Sequence, residues 1–544
     1  MSCYYTKLDK LRLLKRLFVL GLIAASCGFC YAAARIDWKS MMTIAETKRD
    51  TQGDLLPLQS YDETIRRGMS FLLDDHLKWF KGSKETITDE NGNVQMPWVY
   101  YSNIQHNGAP FPNSVDRFVS YPAFHHSLLI RTFIGYSKYS GDRRALAEAT
   151  KLADWNIAHS TPGDWAYGNL PYSTYQEKKP GGFRDKTGLM PDKAAIMALA
   201  YIDLYKATNK PRFLKAAQAI AKTLSARQRP NGTWPFRVDP KTEKVIEEYT
   251  SSVIYAVRLF ESLDKINGNN KFRDKRDLTW KWLLNGPIKT KEFRGFYEDI
   301  KASPKGRTNY DCLDTIRYLL ANRTEDNGYL KMAKELNTWV EKVFMDKIAG
   351  FEPAEGIREQ LQCNVVMGIH SLNWASMQLE LAEASGNEKM RQRAIQTANY
   401  ITYYLQPDNR IVVGFQYHQW WYSCHSGVIL YLFDFLESPI TLGTTSGRTV
   451  SLCVPGKNPD LRRAADRWEA FFIARNIPVK VFDSSKGGSA PEGPVITFET
   501  KEQAPVARAV GADLSQLKTG LPDKKYLRIR ASIVFVPKTT TIEK

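Results

Sequence analysis

The chain has 544 residues, 43% of them hydrophobic and 25% charged, a balance that excludes a wholly disordered or fibrous polypeptide. Lys and Arg number 76 against 58 Asp and Glu, and the net charge of +18 bears on partners (acidic glycans, nucleic acid, a membrane surface) and not on fold. At roughly 100–200 residues per domain the length suggests three or four units, fewer if one is a large helical ring.

Lys7, Lys10, Arg12, Lys15 and Arg16 precede an uncharged apolar run from Leu17 to Ala34, the pattern of an export signal over residues 1–34. Small residues before Arg35 suit cleavage there. Ala24-Ala25-Ser26-Cys27 is a loose lipobox that would acylate Cys27, and the run is also long enough to remain as an uncleaved anchor. Without residues 1–34 the charge stays near +14 and four cysteines remain: Cys312, Cys363, Cys424 and Cys453. They are widely spaced, which reads as buried thiols and not as a disulfide scaffold or zinc module. Either way the expectation is export to the periplasm or cell surface, with membrane contact only through that N-terminus.

After a lead-in at 35–60, a helix is expected at about 61–81, followed by five segments of about 55–70 residues built on one plan. Each begins with a polar or aromatic cluster, enters an apolar helix, turns at a short polar linker and continues as a charged amphipathic helix. The segments begin at Tyr121-Pro-Ala-Phe-His-His, Met190-Pro-Asp-Lys, Glu247-Glu-Tyr-Thr, Asn309-Tyr-Asp-Cys and near Cys363. A last apolar helix covers about 421–437. Pairing the first helix with the last gives six hairpins and twelve helices, enough to close a ring. The apolar helix of each pair belongs inside and the amphipathic one outside. The expected fold is therefore all-α over 61–437, an (α/α)6 toroid with inner and outer rings. A Gly/Thr/Ser-rich linker at 438–448 leads to a small α/β or α+β module at 449–544, read from a helix at 460–474 and strands at Thr449-Val-Ser-Leu-Cys-Val, Pro478-Val-Lys-Val-Phe, Pro494-Val-Ile-Thr-Phe and 526–536.

If the inner helices run parallel, their first turns and preceding loops gather at one mouth of the ring, and the chemistry belongs there. The residues brought together would be Asp116, Arg117, His125 and His126; Arg184, Asp185, Asp192 and Lys193; Trp234, Glu247, Glu248 and Tyr249; Tyr310, Asp311 and Asp314; Asn364 and His370; and Gln416, His418, Trp420, Trp421, Tyr422 and His425. Carboxylates and imidazoles supply proton transfer, and aromatic faces stack on sugar rings. Each has a bland alternative: an acid in a first turn caps a helix, a histidine packs between helices, and a tryptophan fills a core. Six converging loci weigh more than any one of them.

The twelve-helix plan, with Asn231-Gly-Thr-Trp-Pro-Phe after an outer helix, resembles the six-hairpin (α/α)6 toroid enzymes that act on carbohydrates, among them toroid glycoside hydrolases and uronate polysaccharide lyases. The resemblance covers about residues 60–437 and implies an active site at such a mouth. The leading expectation is a secreted glycoside hydrolase acting on an acidic, uronate-containing glycan through paired carboxylates. Asp311 and Glu248 are the first candidates, with Asp192 and Asp116 behind them. Arg184, Lys193 or Arg117 would pair with a substrate carboxylate, and Trp234, Tyr249, Tyr310, His370, Trp421 and His425 complete the substrate-binding set. A lyase is the alternative, with His125, His370, Tyr310 or Tyr249 as base or acid and Asn364 or Arg184 neutralising the uronate. A non-catalytic glycan-binding envelope protein is the third reading. No Walker loop, dinucleotide fingerprint, HExxH or GxSxG string occurs, so no cofactor is expected. Acids are plentiful enough for a calcium ion, but no spacing specifies one. Export and scattered positive charge argue against a nucleic-acid partner.

Overall fold

The computed structural model describes residues 44–50, 53–75, 119–140, 142–176, 188–363, 365–415 and 420–437, with short strands at 87–88, 94–95 and 179–180 and, beyond 449, chiefly three strands. The export signal, Cys27 and the expected strand at 526–536 lie outside these residues. No described helix is long and apolar enough to cross a membrane.

Among the described residues twelve helices build the main body: α1 (Tyr61–Ser70), α2 (Pro122–Ser140), α3 (Arg143–Ala158), α4 (Pro191–Thr208), α5 (Pro211–Arg227), α6 (Ile254–Asn267), α7 (Arg273–Asn285), α8 (Tyr310–Ala321), α9 (Gly328–Phe344), α10 (Gly368–Ser385), α11 (Glu388–Ile401) and α12 (Tyr422–Glu437). Helices α2, α4, α6, α8, α10 and α12 pack one on the next, and α12 returns to α2. Each has an outer partner: α3, α5, α7, α9, α11 and, for α12, the first helix α1. The result is two concentric rings of six.

Sequence explains which helix goes where. In α4 nearly every residue from Pro191 to Ile202 is buried, so the helix needs protein on all sides. In α5 only Phe213, Ala217, Ile220, Ala221 and Leu224 are buried, one face at helical spacing. The turns are equally local. Asn209 ends α4 in the left-handed conformation and Pro211 starts α5, while Gly268 and Gly386 do the same work after α6 and α10. Closure is made by α1 and α12. The Thr132 hydroxyl donates to the Ser426 carbonyl at 3.0 Å, Tyr139 packs on Phe433, and Tyr61 meets Phe435 edge-on while its hydroxyl donates to Asn399.

Three boundaries refine the sequence reading. Helix α1 passes at Phe71 into a π-helical turn ending at Asp75, and the remainder of the expected 61–81 helix lies outside the described residues. The third inner helix begins at Ile254, after an opening in which Val245–Glu247 pairs with Arg237–Val238 as a small hairpin and Thr250-Ser251-Ser252 turn the chain through hydroxyl bonds. The fifth begins at Gly368, after the strand Glu355–Ile357 pairs with Met345–Lys347. After the helical body, strands Val450–Val454, Val479–Asp483 and Val495–Thr497 form a parallel sheet with Val450–Val454 in the centre. Of the four cysteines, Cys312, Cys424 and Cys453 are buried free thiols and Cys363 is half-buried.

Candidate active site

The first turns of the inner helices converge. Asp192 and Lys193 open α4, Tyr310 and Asp311 open α8, and His370 sits in the first turn of α10. Phe124 of α2 meets Tyr310 edge-on at 5.4 Å, and Tyr310 meets His370 edge-on at 5.7 Å, so three inner helices share one centre. The loop between α7 and α8 fills it. Gly295 has a φ of +76°, and a Cβ there would stand 2.3 Å from the Tyr249 carbonyl oxygen, so only glycine lets this loop turn inward. The turn delivers Phe296, Tyr297 and Glu298, all buried. Phe296 stacks on Tyr310 at 4.9 Å.

At the centre is one fully buried ammonium. Lys193 Nζ lies 3.2 Å from the Phe296 ring centroid and 4.7 Å from that of Phe124, and 4.0 Å from Glu298 Oε1. Burial lowers its pKa, opposed by the charges of Glu298, Asp192 and Asp311. Burial moves the three carboxyls the other way. Asp311 is pushed up to about 7 against the Ser251 hydroxyl, which donates to its Oδ2 at 2.5 Å. Glu298 is pushed to about 7 against the pull of Lys193, and Asp192 to about 6 against Lys193 and the Lys193 N–H, which donates to Oδ1 at 2.9 Å. Among the described residues, Asp192 Oδ2, Lys193 Nζ, Glu298 Oε1 and Asp311 Oδ1 are buried without a hydrogen-bond partner. Buried polar atoms are normally paired, so four orphans in one cluster mark a place for a ligand or water.

Beside them burial holds His370 neutral, its pKa down at about 3; its Nε2 is 3.4 Å from the Tyr297 hydroxyl and its Nδ1 has no partner. The Tyr310 hydroxyl bonds that of Tyr431 at 2.8 Å. His125 is buried among the Tyr121 and Phe124 rings next to this group.

Other candidates are placed elsewhere. Glu248 has a side chain 69% exposed and pairs with Arg229 at 2.7 Å, since the hairpin before α6 turns it outward. Trp234 is a core residue, its indole donating to the Leu224 carbonyl at 2.9 Å. His425 is locked: its Nδ1 accepts from the Ile411 N–H and the Trp420 indole, each at 3.0 Å, and Nε2 faces the Gly68 carbonyl at 2.9 Å. Trp421 is buried at the start of α12. Lys193 is fully buried between the Phe124 and Phe296 rings. Tyr249 is half-buried under the Arg294 guanidinium. Asp314 pairs with Arg258 and accepts from the Tyr255 hydroxyl. Asp116, Arg117, Arg184, Asp185, Asn364, Gln416 and His418 lie outside the described residues. Among the described residues no group of three or more His, Cys, Asp or Glu is arranged to hold a metal ion.

Sequence reasoning missed Glu298. Its signal was the string Gly295-Phe-Tyr-Glu-Asp just before an inner helix, a glycine turn with aromatics and acids in the same position as the other loci.

No protein-family model matches the chain, and no curated protein matches it. Solved structures do. A D-mannose isomerase superposes with a TM-score of 0.51 at 11% identity, over 69% of this chain and 97% of that one. The fold is the six-hairpin (α/α)6 toroid. A cellobiose 2-epimerase from Spirochaeta thermophila DSM 6192 (TM-score 0.49, 10% identity, 68% and 96% covered) and an unsaturated glucuronyl hydrolase specific for heparin (0.41, 11%, 69% and 98%) are also similar. In this toroid the orphaned cluster sits where the first turns of the inner helices meet.

Proposed function

We propose that the chain is an exported carbohydrate-active hydrolase that cleaves glycosidic bonds in an acidic glycan, with Asp311 and Glu298 as the proton-transfer pair and Asp192 supporting them. The observation that carries this reading is the set of buried carboxyls around Lys193, two of them pushed to about 7. Glycoside hydrolysis needs one carboxyl protonated to release the leaving group and a second ionised to act as base or nucleophile. Two buried carboxyls that titrate near neutrality, each facing Lys193, offer both a protonated and an ionised form at neutral pH. The mannose isomerase of the same fold is by name a sugar enzyme, which agrees with a carbohydrate substrate. The basic leader and apolar run of residues 1–34 support export.

The test is release of reducing ends from a panel of uronate-containing polysaccharides and oligosaccharides. Asp311→Asn and Glu298→Gln should each lower turnover by about 100-fold or more, the usual scale for a lost acid or base. Turnover that survives both substitutions removes the assignment.

A β-eliminating lyase is favoured by one observation, the neutral His370 with a free Nδ1 beside the Tyr297 hydroxyl. Its product is unsaturated and absorbs in the ultraviolet. Absorbance rising together with reducing ends, and lost in His370→Gln, would select that reaction.

A further inference from the structure

A second group of side chains lies one hydroxyl away from Asp311 and is unused by the chemistry above. The Ser251 hydroxyl that donates to Asp311 also accepts the Arg294 N–H at 2.8 Å. Arg294 faces Arg307 across an antiparallel β-bridge, so two guanidinium side chains stand on opposed positions where like charges repel. Between them is a single carboxylate: Glu292 forms an ion pair with Arg307 and stands 3.6 Å from Arg294 Nε. Two cations on one anion leave a net positive charge. Arg294 also donates to the Ala302 carbonyl at 3.1 Å and lies 4.4 Å over the Tyr249 ring, which is itself 5.9 Å from Trp282. Tyr249 is fixed by its hydroxyl, which donates to the Glu292 carbonyl at 2.7 Å. The arginine side chains are 22% and 34% exposed, desolvated enough to strengthen a charge contact and open enough to make one.

We propose that Arg294 and Arg307, with Tyr249 and Trp282 beside them, form a binding site for the oxyanion substituent of a sugar, either a uronate carboxylate or a sulfate ester. The site rests on the reading of this chain as an enzyme of acidic glycans and names the residues that recognise the acid. A planar guanidinium matches an oxyanion through paired N–H donors, and the aromatic rings offer a face to the sugar. An incoming anion completes the charge balance that Glu292 alone leaves open. Because Ser251 ties the Arg294 backbone to Asp311, a sugar held by its acid group here is held next to the proton-transfer cluster.

The test is calorimetric titration of the full chain with methyl glucuronide, glucose 6-sulfate, inorganic sulfate and neutral methyl glucoside. The acidic sugars should bind, with the neutral glycoside weaker by about tenfold or more, the scale of one charge-assisted contact. Whichever of the carboxylate and the sulfate ester binds tighter identifies the source of the anion. Arg307→Gln should weaken binding by about tenfold, whereas Glu292→Gln should tighten it, an opposite change that misfolding cannot imitate. Binding of inorganic sulfate without either acidic sugar, equal binding of acidic and neutral sugars, or indifference to both substitutions would overturn the site. Glu298→Gln should leave this binding in place while abolishing hydrolysis. A failure of the hydrolase reading and a failure of the anion site are therefore read on different measurements.

Discussion

Asp311 shows how burial sets chemistry at a single residue. It has no exposed surface, and the Ser251 hydroxyl, a backbone N–H and Lys193 only partly offset the loss of water, so its pKa rises from 3.8 to about 7. Linkage gives the sign. A carboxyl raised in the folded state holds its proton more tightly there, so its ionisation destabilises the fold, and stability falls as pH rises from about 4 through about 7. Asp311→Asn removes that penalty. Against wild type, the variant should become more stable by a few kcal/mol on the order of magnitude as pH rises across this window, measured by chemical denaturation at a series of pH values. His370 works in the other direction. With its pKa lowered to about 3, it lowers stability as pH falls from about 6.5 toward about 3, and His370→Gln should flatten the acid limb of the same profile. At this scale the sequence exposed Asp192, Lys193, Asp311, Tyr310 and His370 through their places in first turns. It misplaced Glu248 because the short hairpin ahead of α6 was not visible as a strand pair, and one residue of register decides whether a side chain faces in or out.

At the scale of elements, the loop before α8 is the part on which the site depends. Gly295→Ala puts a methyl group against the Tyr249 carbonyl and requires a left-handed conformation of alanine. It should destabilise the protein by about 2 kcal/mol or more and, by shifting Phe296 and Glu298, reduce turnover further than the stability loss explains; thermal melting and kinetics on the folded fraction separate the two effects. A helix cap far from the site gives the control. Asp142 caps α3 by accepting the Arg144 N–H at 2.9 Å, and Asp142→Ala should cost about 1 kcal/mol with turnover unchanged. Helices were legible from sequence because an apolar run of the length of α4 has few other uses, and their ends were legible where Asn209 or Gly268 supplies a left-handed residue. The starts of α6 and α10 were not, since Thr, Ser and Glu stretches carry the same composition in a hairpin as in a first turn.

The helical body formed by the described residues between 61 and 437 is a closed ring, and closure has consequences that no single hairpin has. The first helix packs on the last, and the lead-in strap fastens to the outer ring: Leu55 N–H donates to Gln396 at 2.9 Å, Leu58 N–H to the Thr402 hydroxyl at 2.8 Å, and the Tyr403 hydroxyl to the Leu56 carbonyl at 2.9 Å. A chain ending after residue 415 loses α12 and exposes the buried faces of α1, α2 and α10 together. It should fail to give a cooperative melt, whereas removal of residues 1–43 should leave the melt intact. The sequence by itself determined the number of hairpins and which helix of each pair lies inside, because hydrophobic periodicity and turn residues are local properties of the chain. Only the tertiary structure decided which acids meet. Asp192 and Asp311 come from two separate hairpins and Glu298 from the loop ahead of the second, and their common burial around Lys193 needs ring closure together with the inward turn at Gly295, a long-range arrangement that no local stretch of the chain encodes.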